Sequence, residues 1–449
     1  METYDLIVIG GGPAGMEAAR RAAEGKKSVL LIEQERIGGT CLNRGCIPTK
    51  ALLRSGHLIA TAREGEHLGL NGSPGGYDLN AVFAHARRIS GTIAGQGEEA
   101  LRRAGVAIVH AAAQIHDDLA VEAGGQIYHG ENILAAVGGA PALPPIAGIS
   151  QPGIWTSDDL FADTVFEPFE SITIIGGGVI GMEFAQFFLD LGIRVTILEA
   201  LPRLLANLDK DFGQSLQASF RRRGAVILTG AAVKRVETLP QGFKAVAEDK
   251  NGVQEVVSDR LLVCTGRRPA TAGLFAPRLA EQLGLQRDYV PVMDDTMETA
   301  VGHLYAAGDI VMGGVQLAHA ASAEAVNAVA AMFGQGGHKD LSLVPSCVYT
   351  APECASVGLT QAQAEEKGIP VTVRRRLSLS NGKSLIDEDG RGFAKEVFDQ
   401  QSGRLLGVQL MCGHASEMIG LLGLAIRQKA TMDQLDETIF PHPTVSEFL

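Results

Sequence analysis

The chain has 449 residues, of which 46% are hydrophobic, with a net charge of −12 and six cysteines. That length fills about three domains, and no apolar run reaches the ~18 residues of a membrane span. The acidic balance argues against nucleic-acid or anionic-membrane partners, and six cysteines are too few for a disulfide framework.

The N-terminus, Met1-Glu2-Thr3-Tyr4-Asp5, is acidic and leads straight into a strand, so it lacks the basic start of a secretory signal peptide. A cytoplasmic protein is expected. Leu6-Ile7-Val8-Ile9 is a buried-strand run that ends in Gly10-Gly11-Gly12-Pro13-Ala14-Gly15. An Ala-rich helix from Met16 to Glu24 follows, then a strand from Ser28 to Ile32 that ends at Glu33.

Next comes Cys41-Leu42-Asn43-Arg44-Gly45-Cys46, opening into Ile47-Pro48-Thr49-Lys50. Two thiols five residues apart on one helix would point about 140° apart, so they can bridge only if the first turn is distorted. Such strain makes a disulfide easier to reduce, which suits a catalyst more than a staple. In a reducing compartment a close pair reads as catalytic or metal-binding. Its position after a glycine loop favours catalysis, and no metal site is expected. Cys264, Cys347, Cys354 and Cys412 are read as small core residues.

The first pattern then recurs. Ile172-Thr173-Ile174-Ile175 runs into Gly176-Gly177-Gly178-Val179-Ile180-Gly181, a helix to Leu191, and a strand from Arg194 to Leu198 that ends at Glu199. The acidic residue follows the first glycine by 23 positions in both copies, 10 to 33 and 176 to 199. One such match is weak. Two, framed alike, point to two dinucleotide sites: glycines permit the tight turn and the approach to a pyrophosphate, a helix N-terminus favours its charge, and the Glu accepts from ribose hydroxyls.

Two sites need two ligands. The dithiol follows the first loop, so that loop should hold the ring that exchanges electrons with sulfur, and a flavin fits because it takes hydride on one face and reacts with a thiolate on the other. The second loop should then bind nicotinamide, and Glu199 favours NAD over NADP by repelling a 2′-phosphate. Arg203, four residues on, could soften that preference, but is read first as a solvated helix-start residue.

With these residues the chain resembles the pyridine nucleotide-disulfide oxidoreductases, and within them the dihydrolipoyl dehydrogenase family, over essentially its whole length. The resemblance also rests on Cys264-Thr265-Gly266-Arg267-Arg268-Pro269, Tyr305-Ala306-Ala307-Gly308-Asp309, Leu317-Ala318-His319, Tyr349-Thr350-Ala351-Pro352-Glu353, Ser356-Val357-Gly358-Leu359-Thr360 and His442-Pro443-Thr444-Val445-Ser446-Glu447. It implies an α/β fold with two Rossmann-like dinucleotide-binding domains and a C-terminal α+β dimerisation domain. The expected division is an FAD domain over 1–150, an NAD domain over 151–270, a return segment of the FAD domain over 271–340 and a dimerisation domain over 341–449.

Residue by residue, the resemblance makes Cys46 the thiol in contact with the flavin and Cys41 the one that exchanges with substrate. Lys50 and Glu183 resemble the ion pair beside the flavin N5, with Glu183 also near the nicotinamide, and Asp309 resembles the carboxylate that accepts from the ribityl chain. Further cofactor contacts are expected at Gly39, Thr40, Ala113, Gly138, Gly266, Leu317, Ala318 and His319, besides the two glycine loops with Glu33 and Glu199. His442 with Glu447 resembles the family's general base and its orienting carboxylate, since thiol exchange needs a thiolate and a neutral imidazole can remove the substrate's proton. In this family that base reaches the partner subunit's dithiol, which implies an obligate homodimer; His414 is expected to support the interface. The implied reaction is oxidation of dihydrolipoyl groups to lipoyl with reduction of NAD, served by a lipoyl-bearing carrier.

The sequence departs from the family at Ala136-Val137-Gly138, where Ala-Thr-Gly is usual, and at Ala111, where Gly is common. Only Phe448 and Leu449 follow Glu447, so the His442 segment lies where chains fray and needs pinning. No lipoyl-bearing module precedes the first glycine loop, so the lipoyl group is expected from another protein or from free substrate. Glu199-Ala200-Leu201 argues against a 2′-phosphate-binding glutathione-type reductase, and no cysteine follows Cys412 to supply the C-terminal pair of a mercuric or large thioredoxin reductase. A soluble transhydrogenase would normally lack one of the two thiols. An NADH-driven reductase of another small disulfide or oxidant remains the alternative reading.

Overall fold

The computed structural model describes residues 3–70, 76–162, 165–334, 337–388 and 390–449. Met1 and Glu2, read above as part of an acidic start, lie outside the described residues. The first sheet is built around strand Thr3–Ile9, which runs parallel to Val29–Glu33 on one side and to Gln126–Ala135 on the other. Its alternating side chains enter two separate cores. Leu6 and Val8 pack beneath helix Pro13–Glu24, whereas Ile7 and Ile9 face the opposite layer. A strand buried on both faces reads as a continuous apolar run, which is why this one was visible in the sequence.

The sheet is completed from far along the chain. Strand Leu304–Ala306 pairs in parallel with Gln126–Ala135, and helix Ala318–Phe333 packs on helix Pro13–Glu24. The second sheet is wholly parallel, in the spatial order Val226–Thr229, Arg194–Glu199, Ser171–Ile175, Arg260–Val263, Ile154–Thr156. A three-stranded antiparallel sheet spans 232–258. The C-terminal part is a five-stranded antiparallel sheet in the order Ser346–Val348, Glu353–Gly358, Leu405–Cys412, Phe393–Asp399, Val371–Leu377, with helix Ala415–Arg427 against it. This is the α/β architecture expected from the sequence. Among the described residues, no helix is long and apolar enough to cross a membrane.

Two contacts between these parts set the geometry of the site. Helix Cys46–Glu64 lies on helix Val179–Asp190. Gly56 allows the close approach, since a Cβ there would stand 3.1 Å from the Asp190 Cβ and 3.2 Å from the Phe187 ring. Phe83, Phe161, Phe166, Phe187 and Phe188 fill the surrounding core.

The second contact is ionic. Lys395, on the C-terminal sheet and 5% exposed, donates to Asp209 at 2.9 Å and to Asp211 at 3.3 Å, both at the start of helix Lys210–Arg222. Arg375 also pairs with Asp211, and Phe212 stacks on Phe393 beside them. Removing one partner of a buried charge cluster strands the others. Lys395→Ala is therefore expected to cost about 3–5 kcal/mol and to lower the thermal transition of the holoenzyme. An unchanged transition would mean that these charges are not what joins the second sheet to the C-terminal sheet.

Candidate active site

The two glycine loops coincide in detail. Gly10 and Gly176 turn at φ of 105° and 110°, a region that side chains rarely adopt. A Cβ at either would meet the carbonyl of the neighbouring strand end, Ala136 or Cys264, at 2.3 Å. Gly11 N–H donates to the Glu33 carboxylate at 2.6 Å, and Gly177 N–H donates to Glu199 at the same distance. The second oxygen of each Glu accepts from a backbone N–H two residues on, at 2.7 Å. Both carboxylates are thus fixed at their strand ends.

Gly12 and Gly178 face open space, with no heavy atom within 4 Å of where a Cβ would stand. A helix begins directly after each. A cradle of bare backbone at a helix N-terminus fits a diphosphate, and a side chain would fill it. Gly15 and Gly181 are needed for another reason. Their Cβ atoms would lie 1.8 and 2.1 Å from the carbonyls of Gly10 and Gly176, so only glycine lets each helix close on its loop.

Both loops open on one cavity of about 1750 Å³, which also reaches the dithiol. Pro13, Ala14, Val179 and Ile180 line it beside the loops. Gly39, Thr40, Gly138, Gly266 and Asp309 lie along it, as do Leu317, Ala318 and His319. Ala113 does not line it; it sits on strand Ala113–Ile115 at the far side of the first sheet. Gly138 has a φ of 70°, and nothing stands within 4 Å of its would-be Cβ. Among the described residues, no group of three or more His, Cys, Asp or Glu could hold a metal ion.

The distortion required between the thiols is a complete helix break. Cys41 lies on helix Gly39–Asn43, and Cys46 is the first residue of helix Cys46–Glu64. Gly45 makes the turn, where a Cβ would press 2.9 Å from the Thr40 carbonyl. Cys46 thereby gains a helix N-terminus, which favours a thiolate. A hydrogen bond from the Cys41 thiol, and then the charge of Lys50, bring Cys46 down to about 7, against opposing burial and the Glu183 carboxylate. Cys41 moves the other way, raised first by its hydrogen bond to Cys46 and then by burial. In the reduced pair Cys46 is therefore the thiol that ionises first.

Lys50 lies one turn below Cys46, and its Nζ reaches both oxygens of Glu183 at 2.9 and 2.8 Å. The Glu183 side chain is 4% exposed. It also accepts from Tyr349 N–H at 3.0 Å, while the Tyr349 ring lies 4.5 Å from Lys50 Nζ. Gln186, one turn on, accepts from Ala351 N–H at 3.1 Å, so two side chains of one helix grip the 349–351 loop. Sequence reasoning gave no role to Tyr349 or Gln186, although Tyr349 opens one of the family motifs. Arg267 was missed as well: its guanidinium, mostly buried, bonds Thr40 and Gly139 and stands 3.6 Å from Asp309.

Two readings need correction. Arg203 is not a solvated helix-start residue. It lies in a turn, and its guanidinium donates to the carbonyls of Leu205, Ala206 and Leu208, which removes it from any 2′-phosphate. Cys347 is not core: it is half-buried and lines the cavity, and burial pushes its thiol up to about 11. Cys264, Cys354 and Cys412 are buried as expected.

His442 and Glu447 do not line the cavity. The His442 side chain is 80% exposed, and its Nδ1 is 2.8 Å from Glu447 Oε1. The Thr444 N–H and then His442 hold Glu447 below the usual carboxylate range. A carboxylate only accepts, so it fixes the proton on Nδ1 and leaves Nε2 free as a base. The expected fraying does not occur within this chain: Phe448 and Leu449 are 2% and 6% exposed and pack in the core of the C-terminal sheet.

Comparison with known proteins agrees with this geometry. The pyridine nucleotide-disulphide oxidoreductase family model matches residues 4–325, and the dimerisation domain of that family matches 344–449. This chain belongs to that family. A dihydrolipoyl dehydrogenase of Bacillus subtilis is 32% identical, over 99% of this chain and 96% of its own. A mercuric reductase of Lysinibacillus sphaericus is 31% identical, over 100% of this chain and 82% of its own. The solved HOCl-induced flavoprotein disulfide reductase RclA of Escherichia coli superposes with a TM-score of 0.88 at 28% identity, covering 99% of this chain and 98% of its own. The cofactors of this pyridine nucleotide-disulphide oxidoreductase are FAD and NAD, and its dimerisation domain supports a homodimer.

The electrostatics of the thiol site make a paired prediction. Alkylation of Cys46 in the reduced protein should rise with pH through about 7, as the thiol ionises. Lys50→Gln should move that rise to higher pH and Glu183→Gln to lower pH, because Lys50 lowers the Cys46 pKa and Glu183 raises it. Shifts of the same sign in both variants would refute this assignment of charges.

Proposed function

We propose that the chain oxidises dihydrolipoyl groups to lipoyl with reduction of NAD, as the dihydrolipoyl dehydrogenase of a 2-oxo-acid dehydrogenase or glycine-cleavage system. The observation that carries this reading is that the chain has two separate pieces of thiol chemistry: a dithiol beside the cofactor cavity, and a His442–Glu447 pair held at 2.8 Å on an exposed loop. An electron relay alone needs only the first. A substrate that arrives as a dithiol must also lose protons, and a base serves that need.

In the proposed sequence a substrate thiol gives its proton to His442 Nε2, and the resulting thiolate attacks Cys41 Sγ of the oxidised pair. The Cys41–Cys46 bond breaks and Cys46 leaves as a thiolate, which Lys50 and the helix N-terminus stabilise. The second substrate thiol attacks the substrate sulfur of the mixed disulfide, and Cys41 departs as a thiol carrying a proton. Lipoyl is released and two electrons remain on the reduced pair. FAD bound at the first loop supplies the two-electron relay from the dithiol to NAD at the second. Glu183 and Tyr349 hold Lys50 in register with Cys46 throughout. His442 of one protomer serves the dithiol of its partner, in keeping with its absence from the cavity of its own chain. A lipoyl-bearing carrier protein is the partner this chemistry requires.

A second reading, an NADH-driven reductase of another small oxidant, is favoured by the likeness to the HOCl-induced reductase. The same dithiol would serve it, with electrons running the other way. Anaerobic NAD reduction by free dihydrolipoamide separates the two. Prompt NADH formation, lost in Cys46→Ser, is expected; a protein that ignores dihydrolipoamide yet oxidises NADH with another acceptor would establish the second reading.

His442→Gln should slow dihydrolipoamide oxidation by about 10²–10⁴-fold while FAD stays bound, as read by flavin absorbance after gel filtration. Unchanged turnover would remove His442 from the base role.

A further inference from the structure

A base whose side chain is 80% exposed can be positioned only by the loop that carries it. Downstream, Val445, Phe448 and Leu449 anchor that loop in the apolar core. Upstream the anchor is weaker: Phe440 is only partly buried against that core, Ile439 is 95% exposed, and His442 and Pro443 lie at the surface. Between the two stands Thr444, held from both sides of its Cα. Its N–H donates to Glu447 Oε2 at 2.9 Å, and its carbonyl accepts from Asn381 Nδ2 at 3.0 Å.

Asn381 lies more than sixty positions earlier in the chain and is 6% exposed. It caps the short helix Gly382–Ile386, its Oδ1 accepting from Ser384 N–H at 2.8 Å. With the carbonyl committed to that N–H, the amide must turn its nitrogen to Thr444. The segment beneath it is also tied down. Ser378, 1% exposed, donates to the Gly390 carbonyl at 3.1 Å, accepts from Gly392 N–H at 2.6 Å, and its own carbonyl takes the Asn381 N–H at 2.9 Å. A continuous hydrogen-bonded path therefore runs from the C-terminal sheet through Ser378, Asn381, Thr444 and Glu447 to His442 Nδ1.

We infer that Asn381 is the positioning residue of the His442–Glu447 pair, acting through the Thr444 carbonyl. The inference rests on the proposed base role of His442. It deepens that role by naming what fixes the base in place for the partner's dithiol. Misplacing a reacting group by about 1 Å can cost two orders of magnitude, and a buried tether to an exposed loop is where such an error would arise.

Asn381→Asp separates this role from a structural one. Aspartate keeps the acceptor that caps the helix; a carboxylate buried there without a cation lowers the thermal transition, so folding is checked by bound flavin and by the NADH reaction. It removes the donor and sets a carboxylate against the Thr444 carbonyl. Dihydrolipoamide oxidation is expected to fall about 10-fold to 100-fold in kcat, with KM for NAD unchanged. Flavin reduction by NADH, which does not involve His442, serves as the internal control. In a His442→Gln background the same replacement should have no further effect, because the two residues act as one unit. If Asn381→Asp fails to fold, Asn381→Ser, which also caps but is too short to reach Thr444, takes its place.

Full dithiol oxidation in Asn381→Asp, or an equal loss in the His442→Gln background, would overturn the inference while leaving the base intact. A His442→Gln variant of unchanged rate would remove the base role on which the inference rests, whereas a protein that ignores dihydrolipoamide would overturn the function reading instead.

Discussion

The ion pair between Lys50 and Glu183 is the interaction on which the rest of the site depends. Glu183 is a nearly buried carboxylate on a helix of the second sheet, and Lys50 projects from the helix that begins at Cys46. A buried carboxylate without a cation would be costly, so the two helices are bound to meet with this register. Glu183 also takes the Tyr349 N–H from the edge of the C-terminal sheet. One side chain thus joins the helix of the thiols, the helix of the second glycine loop and the C-terminal part of the fold, beside the cavity that the thiols and both loops share. The electrostatic consequence is local: the Cys41 hydrogen bond does most to lower the Cys46 thiol, Lys50 adds to it, and burial and Glu183 oppose both, which brings it to about 7.

The two glycine loops show how a backbone constraint becomes legible in a sequence. At Gly10 and Gly176 a carbonyl stands where a Cβ would go, and at Gly15 and Gly181 the loop's own carbonyl does the same. No other residue satisfies those positions, so the pattern and the 23-residue interval to each Glu survive in the sequence as a repeat. The need for a distortion between Cys41 and Cys46 was equally legible, because helical geometry forbids the pair otherwise. Its form was not. Whether a turn is stretched or a helix is broken depends on the contact between Gly45 and the Thr40 carbonyl, which appears only when both helices are in place.

What the sequence concealed has a common cause. Arg203, Cys347 and Asn381 each act through partners set by tertiary packing. Arg203 spends its guanidinium on three carbonyls of its own turn, an arrangement that no spacing rule announces. Cys347 has the composition of a core residue and is exposed to the cavity only because its strand lies at the edge of the C-terminal sheet, beside Lys50 and Glu183. Asn381 reads as an ordinary helix cap until its second amide hydrogen is traced to Thr444. The tail shows the same limit. Two residues after Glu447 look exposed to fraying, yet Phe448 and Leu449 are apolar and find a core.

In the proposed reaction these placements separate the electron path from the proton path. The dithiol, both glycine loops and the Lys50–Glu183 pair share one cavity and are assembled within a single chain. The His442–Glu447 pair stands apart, on an exposed loop of the C-terminal sheet. In the proposed mechanism each protomer holds the electron path in its own cavity, the base comes from the partner, and substrate binds where the two protomers meet. On that reading activity toward dithiols depends on assembly and on the rigidity of one loop, whereas exchange between NADH and the cofactor does not. The dithiol is the part that any disulfide reductase of this architecture needs. Specificity for a substrate that delivers protons along with its electrons must instead be read from the second, separately anchored site.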